Sequence, residues 1–525
     1  MPDIVLATLN AKFIHASFGL RYLLANLGDL RPRAAIVEFE IKQTPLEVVE
    51  SILALKPRIV GLGVYIWNVR PTLDVVALLK RIAPEVCVVL GGPEVSHETE
   101  SQEIVRLADH TITGEADLEF ARFCRCFLGI EESRGPLPKV LHAPLPDLQS
   151  VRMPYEEFTD DDIAHRVLYV EASRGCPFRC EFCLSSLDIP VRAFPLEPFL
   201  AAMRRLLDRG ARQFKFVDRT FNLNVEVSRA ILGFFREGWR DGLFLHFEMV
   251  PDRLPEALRG EIAWFHPGAL QFEIGIQSFE PAVCARIQRR QDFDRTEENL
   301  HFLREKTGVH VHADLIAGLP GETLEGFGTG FDRLLGLGPQ EIQVGILKKL
   351  RGTPIGRHDA EWDMRYSPFP PYEILSNRVL DFTTVQRLRR FARYWDLVAN
   401  SGRFGATLPL MWRGFPSPFG RFLAFSDWLH AELGKTHTIA LERLTHAIFR
   451  WLVERGDVPN EDATRALTSD WHKGGHRDLP PWLQAEQPAA QGQFDPPKPR
   501  AGRRRQDRHA SGEKDSPESR AEHRP

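Results

Sequence analysis

The stretch Val167-Leu168-Tyr169-Val170-Glu171-Ala172-Ser173-Arg174-Gly175-Cys176-Pro177-Phe178-Arg179-Cys180-Glu181-Phe182-Cys183 decides how this chain is read. Its first part, Val167 to Ala172, is a short apolar run with the character of a β-strand. Its second part presents three cysteines in C-x3-C-x2-C spacing on the loop at that strand's carboxyl end, where ligands of open α/β sheets sit. Thiolates are soft ligands that suit iron–sulfur clusters or zinc. Structural zinc normally takes four closed ligands. No fourth cysteine or histidine is near, the next histidine being His246. Three cysteines on a four-iron cluster leave one iron open to an exogenous chelator. On spacing alone a structural zinc knuckle stays the alternative.

Downstream, strand-like runs recur at Phe214–Val217, Phe244–Met249, Leu270–Ile276, Val309–Ile316 and Ile342–Leu347, separated by helical patterns such as Leu196–Asp208, Val225–Glu237 and Thr296–Thr307. With Val167–Ala172 this makes six βα units, too few for a closed eight-fold barrel. The expectation is an open, partial (β/α)6 barrel over residues 166–355. Upstream, residues 1–130 alternate apolar strands (Ile4–Leu9, Ala34–Glu40, Ile59–Tyr65, Val86–Leu90, His110–Thr113) with helices (Pro45–Leu55, Thr72–Ile82). Continuous apolar strands spaced by helices indicate a doubly wound parallel sheet covered on both faces. Proline-punctuated residues 131–165 read as a linker. The chain turns helical and aromatic-rich from Tyr372, giving a helical C-terminal domain over 356–483. Residues 484–525, with Arg503-Arg504-Arg505, read as a disordered, solvated tail. The class is α/β throughout the first two domains.

The cysteine loop resembles that of the radical S-adenosylmethionine superfamily, including the aromatic Phe182 just before the third cysteine. The resemblance implies that Cys176, Cys180 and Cys183 hold a [4Fe–4S] cluster whose open iron is chelated by S-adenosylmethionine. One electron, from a reductant such as flavodoxin or ferredoxin, then gives methionine and a 5′-deoxyadenosyl radical. Phe182 is expected beside the adenine. Asp218-Arg219-Thr220-Phe221-Asn222 follows the second strand, where the family contacts the methionine part, although the usual Gly-Gly-Glu type of sequence is missing. Glu273-Ile274-Gly275-Ile276-Gln277-Ser278 resembles the fourth-strand segment, and Asp314 to Glu322 the fifth with its Gly-Leu-Pro-Gly-Glu turn. The S-adenosylmethionine-binding expectation therefore falls on Phe182, Asp218, Glu273, Gln277 and Ser278. No catalytic residue is assignable beyond the cluster ligands.

The first domain, through Gly91-Gly92-Pro93-Glu94 and Gly114-Glu115, resembles the cobalamin-binding domain of the cobalamin-dependent branch of that superfamily. Its glycines would let backbone approach a corrinoid. The cobalt-ligating Asp-x-His-x-x-Gly motif is absent: Asn10-Ala11-Lys12-Phe13-Ile14-His15-Ala16-Ser17-Phe18-Gly19 holds His15 without the preceding Asp. Cobalamin contacts are expected from His15, Val64, Tyr65, Gly91, Gly92, Pro93, Gly114 and Glu115. Over residues 1 to about 480, with Lys348-Lys349-Leu350-Arg351-Gly352-Thr353-Pro354 leading into the last part, the chain resembles cobalamin-domain radical proteins with a C-terminal DUF4080-type domain. No substrate comes with that resemblance. It implies C-methylation or another radical modification. A methylthiotransferase-like enzyme would need a second cluster, for which only Cys87, Cys124 and Cys126 are available; a corrinoid-binding sensor or carrier would have no use for an open iron.

The remaining composition excludes more than it assigns. A formal net charge of −4 over 525 residues does not point to nucleic acid or an acidic membrane surface. No apolar run of about 18 residues suggests a membrane span. Seven cysteines without an export signal fit a reducing, cytoplasmic compartment better than a disulfide framework.

Overall fold

The computed structural model describes residues 1–132, 135–188, 190–486 and 505–510. The first sheet contains β1 (Ile4–Asn10), β2 (Ala34–Glu40), β3 (Ile59–Gly63), β4 (Cys87–Gly91), β5 (His110–Thr113) and β6 (Val140–His142), all parallel, in the order β2-β1-β3-β4-β5-β6. Every residue of β1 is buried. Alternation along the strand sends Val5, Ala7 and Leu9 into a core beneath helices Pro45–Ala54 and Val69–Ile82. Ile4 and Leu6 join a second core beneath Phe18–Ala25 and Glu119–Phe127. Thr44 and Glu47 form a reciprocal cap, with Pro45 in the first turn, which fixes where the first of those helices starts. β6 lies inside the segment read as a linker. Three residues are too few to show a periodicity, yet they pair with β5 and extend the sheet.

The second sheet contains β7 (Leu168–Val170), β8 (Gln213–Phe216), β9 (Phe244–Met249), β10 (Leu270–Gln277), β11 (His310–Ala317) and β12 (Glu341–Ile346). All are parallel and each pairs with its neighbour in sequence. Helical crossovers between consecutive parallel strands build a barrel wall. Among the described residues β7 and β12 do not pair, so the wall is open: a (β/α)6 partial barrel.

The helical reading from Tyr372 needs correction. Arg365–Tyr366 and Ile374–Ser376 form a small antiparallel pair, and the helix begins only at Phe382, where the Asp381 side chain accepts the Thr384 N–H. Beyond it, Pro418–Leu433, Leu441–Arg455 and Asn460–Lys473 are helices of the region read as helical. The aromatic residues of this region are mainly core: Phe331 of the barrel helix Leu324–Leu337 meets Phe391 at 5.1 Å and Trp395 at 4.8 Å, and Trp395 meets Phe422 at 4.9 Å. Of the expected tail, residues 487–504 and 511–525 lie outside the described residues. Pro481–Ala485 and Arg505–Ala510 are short helices, and Arg505 pairs with Asp396 at 2.7 Å and Glu341 at 3.0 Å. No helix among the described residues is long and apolar enough to cross a membrane.

The Gly-Leu-Pro-Gly-Glu turn follows β11. Its Glu322 is buried and accepts a hydrogen bond from Ser278 Oγ at 2.5 Å. Burial raises the Glu322 carboxyl to about 8, against the opposing Ser278 bond. The folded chain therefore holds this proton more tightly than the unfolded one. Stability falls as pH rises from the ordinary Glu value to about 8. Glu322→Gln, an uncharged isostere, is expected to remove that slope and to stabilise the fold at pH 8.5 by roughly 1–3 kcal/mol. Thermal melts of both proteins at pH 6 and 8.5 check it: the variant's advantage grows with pH.

Candidate functional site

Ser173–Arg174 pairs with Arg192–Ala193 and closes the cysteine loop at its base. Gly175 has φ +91°, and a Cβ there would stand 2.7 Å from the Asp188 carbonyl oxygen, so the close approach needs glycine. Cys176 N–H donates to that carbonyl at 3.0 Å, and Cys183 N–H donates to Cys180 O at 3.1 Å. The three cysteines line one cavity with Phe182. Burial pushes the Cys176 and Cys180 thiols up, while Arg289, 3.6 Å from Cys180 Sγ, pulls Cys180 the other way. Among the described residues no three Cys, His, Asp or Glu side chains converge as ligands of a single ion. A four-iron cluster binds each thiolate to a different iron and spreads its ligands more widely than one tetrahedral ion does.

The carboxyl ends of the barrel strands supply the other walls, and Glu273 and Gln277 stand there as expected. Two expected residues do not. Asp218 is buried; its carboxylate accepts from Ala172 N–H at 3.0 Å and Ser173 Oγ at 2.6 Å, and burial raises it to about 6. It braces the start of the cysteine loop. Ser278 is spent on Glu322. The sequence reading missed Arg219, Glu248, Arg289 and Asp314, which line the cavity. Arg219 and Asp314 belong to stretches quoted from the sequence; Arg219 is one residue beyond the one chosen, in the turn after β8, where no strand period separates neighbours. Arg219 pairs with Glu248 at 2.9 Å.

Two features of this cavity fit an added group. Gln277 has φ +71° at the bulge in β10, a conformation that costs a non-glycine residue energy. Its Oε1, like that of Gln291, is buried without a hydrogen-bond partner among the described residues. Glu273 carries a fixed charge: burial opposes ionisation, but His246 at 3.0 Å, Lys215 at 3.6 Å and the His312 charge bring it down to about 2.

A second cavity opens beyond β3, β4 and β5. Tyr65, Gly91, Gly92 and Gly114 line it as expected, with Leu20 and Phe120 among the apolar walls. This concave, glycine-rich surface lies at the carboxyl ends of a doubly wound sheet and suits a large flat ligand. Four expected residues fall elsewhere. His15 Nδ1 lies 2.7 Å from Tyr169 Oη, and its backbone bridges to Val167, so it joins the two domains. Val64 is buried behind Gly92, whose φ is +110° and where a Cβ would stand 2.5 Å from the Val64 carbonyl oxygen. Pro93 is exposed outside the cavity. Glu115 pairs with Arg174 at 2.7 Å and with Arg192. Trp67, 47% exposed, stacks on Tyr65 at 4.5 Å and was not foreseen.

The two cavities are linked through the start of the cysteine loop. Arg174 lines the second and Cys176, two residues on, lines the first; their Cα atoms are at most about 7 Å apart. Arg174 also pairs with Glu171 at 2.9 Å and Asp117 at 2.8 Å, and lies 4.5 Å over the Tyr22 ring.

Comparison with known proteins agrees with this layout. Three family models match, in order: B12 binding domain over residues 4–123, Radical SAM superfamily over 170–332, and Protein of unknown function (DUF4080) over 360–496. The chain is a radical SAM enzyme with a B12-binding domain and a DUF4080 domain. Such domains take a [4Fe–4S] cluster with S-adenosylmethionine, and cobalamin. An uncharacterized methyltransferase of Pyrococcus horikoshii is 25% identical over 58% of this chain and 70% of its own. The cobalamin-dependent radical SAM methyltransferase TokK of Streptomyces tokunonensis is 25% identical over 56% of this chain but only 47% of its own. The structure of the cobalamin-dependent S-adenosylmethionine radical enzyme OxsB, with aqua-cobalamin and S-adenosylmethionine bound, superposes with a TM-score of 0.61 at 13% identity, over 93% of this enzyme and 83% of that chain. That likeness concerns the fold. Cys87 and Cys124 are buried in the first domain's core and burial raises Cys87 to about 12, which suits packing rather than a second cluster.

Proposed function

We propose that this enzyme C-methylates, or otherwise modifies by radical chemistry, an organic substrate held between its two cofactor sites. The observation that carries the reading is that Arg174 and Cys176, two residues apart on one loop, line the two cavities. The names of the relatives, methyltransferases in both cases, support methylation. When bound, the cluster with S-adenosylmethionine supplies a carbon radical that takes hydrogen from substrate, and cobalamin supplies methyl-transfer chemistry.

The chain's own residues do the positioning. Cys176, Cys180 and Cys183 hold the cluster, and Arg289 donates toward Cys180. Phe182 packs against the adenine. Glu273, anionic at any working pH, repels a carboxylate and so takes the ribose hydroxyls or the ammonium of the methionine part. Gln277 offers the unpartnered oxygen for a second such bond. Tyr65, Gly91, Gly92 and Gly114 cradle the corrinoid. The barrel wall keeps water from the radical. A flavodoxin- or ferredoxin-type partner delivers the electron.

Glu273→Gln is expected to weaken S-adenosylmethionine binding about 10- to 100-fold, the worth of a hydrogen bond to a charged group, without changing cobalamin affinity. Equilibrium dialysis of both ligands checks it. The reaction class is tested by the products of S-adenosylmethionine turnover in the cofactor-loaded enzyme. Methylation predicts S-adenosylhomocysteine alongside 5′-deoxyadenosine; 5′-deoxyadenosine alone would reject methylation in favour of a rearrangement.

A further inference from the structure

The segment Lys348–Tyr372 leaves the last barrel strand and returns to it. Lys349 N–H donates to Tyr372 O at 3.0 Å, Ile374 N–H donates to Leu347 O at 2.8 Å, and Lys348 bridges to Glu373. Both ends of the excursion are thus sewn to the barrel edge. Between them the segment touches both cofactor sites.

On the corrinoid side, Arg351 Nε donates to Glu94 at 3.0 Å, and another of its nitrogens donates to Glu98 at 2.9 Å. Tyr372 Oη donates to the same Glu94 oxygen at 2.6 Å and accepts from Arg351 at 3.1 Å. Glu94 is buried, two residues after the cavity-lining Gly92. On the cluster side, Glu181 lies between two of the cluster cysteines and is fully buried. Its carboxylate takes His358 Nε2 at 2.8 Å, Arg357 at 2.5 Å and Gln288 Nε2 at 2.7 Å, and its backbone carbonyl accepts from Ile355 N–H at 3.1 Å. A buried carboxylate held on every side fixes the loop that carries it, because breaking one partner leaves an uncompensated charge.

We infer that residues 351–372 are a clasp: Arg351 and Tyr372 hold the Gly92–Glu98 turn, Arg357 and His358 hold the cluster loop, and the short chain between them keeps the two cofactor sites in register. Arg351, Tyr372 and His358 are positioning residues, and the clasp is the part of the chain through which occupancy of one site is felt at the other. This rests on the reading of the two cavities as cobalamin and cluster sites. Tyr372 lies within the DUF4080 match, so the clasp gives that domain's first residues a role.

The test uses the full chain, cluster-free and anaerobically reconstituted, titrated optically with hydroxocobalamin. Coupling between sites is reciprocal and typically 5- to 150-fold. In wild type, cobalamin is expected to bind about fivefold or more tightly once the cluster is in place. In Arg351→Gln and in the milder Tyr372→Phe that ratio is expected to fall to within about twofold, with iron content unchanged. A ratio near one in wild type, or a full ratio retained in both variants, overturns the clasp. Hydrogen–deuterium exchange on the cofactor-free chain separates this from failure of the cobalamin reading. His358→Gln is expected to speed exchange not only around Glu181 but also in residues 92–98. Faster exchange confined to the cluster loop overturns the clasp even if cobalamin never binds.

Discussion

Cys180→Ala protein is expected to fold, to bind cobalamin, and to form no 5′-deoxyadenosine above background. The substitution removes one small buried side chain from a loop already closed by the Cys176–Asp188 and Glu181–Ile287 backbone hydrogen bonds. Its structural cost is about 1 kcal/mol, typical of a point substitution, whereas a cluster left with two thiolates loses its protein anchorage. Cys124→Ala is the matched control. It removes a fully buried thiol from the core of the first domain, so it costs at least as much stability and is expected to leave iron content and S-adenosylmethionine cleavage intact. Iron analysis and product chromatography on the two variants side by side check the contrast.

The second large effect is expected at Arg174. Its guanidinium is shared among Glu115, Asp117 and Glu171, and its plane covers Tyr22. Burial disfavours that charge, but Glu171 and Asp117 raise it further above its ordinary range. Arg174→Met leaves the buried Asp117 and Glu171 without their arginine at the domain junction, while Glu115 keeps Arg192; burial already raises Glu171 to about 7. Removing one partner of a buried ion network costs about 3–5 kcal/mol. Because Arg174 also lines the corrinoid cavity, the variant is expected to lose cobalamin affinity together with stability. Arg174→Lys keeps the charge but not the planar fork that serves several carboxylates, and is expected to recover only part of either. Chemical denaturation and hydroxocobalamin titration of both variants check the order wild type, Lys, Met.

What was legible in the sequence follows from periodicity and from spacing. β2, β5 and β9 stand where their strand-like runs place them, because short runs rich in apolar and β-branched residues between helical patterns mark strands. Cys176, Cys180 and Cys183 share a cavity because ligands clustered within one loop need no tertiary information to be found. β6 was missed because a three-residue edge strand has no period. The residues around the cavities were harder for a different reason. Past the end of β8, where no strand period applies, Asp218 turns inward to brace Ala172 and Ser173 while its neighbour Arg219 faces the cavity. Ser278 is captured by Glu322, a partner 44 positions on, and His15 by Tyr169, 154 positions on. Such pairings are tertiary facts that no local motif announces. The ion network of Arg21 with Glu38 and Asp162, which ties the first domain to the segment before β7, belongs to the same class.

The central claim is that Cys176, Cys180 and Cys183 hold a four-iron cluster with one iron left open for S-adenosylmethionine. Mössbauer and EPR spectroscopy of the anaerobically reconstituted, full-length enzyme, with and without S-adenosylmethionine, test it most directly. The account predicts about four irons per chain in one cluster, with the signal of a single iron site changing when S-adenosylmethionine is added. A stoichiometric zinc in place of iron, or a cluster whose spectrum S-adenosylmethionine leaves untouched, would contradict it.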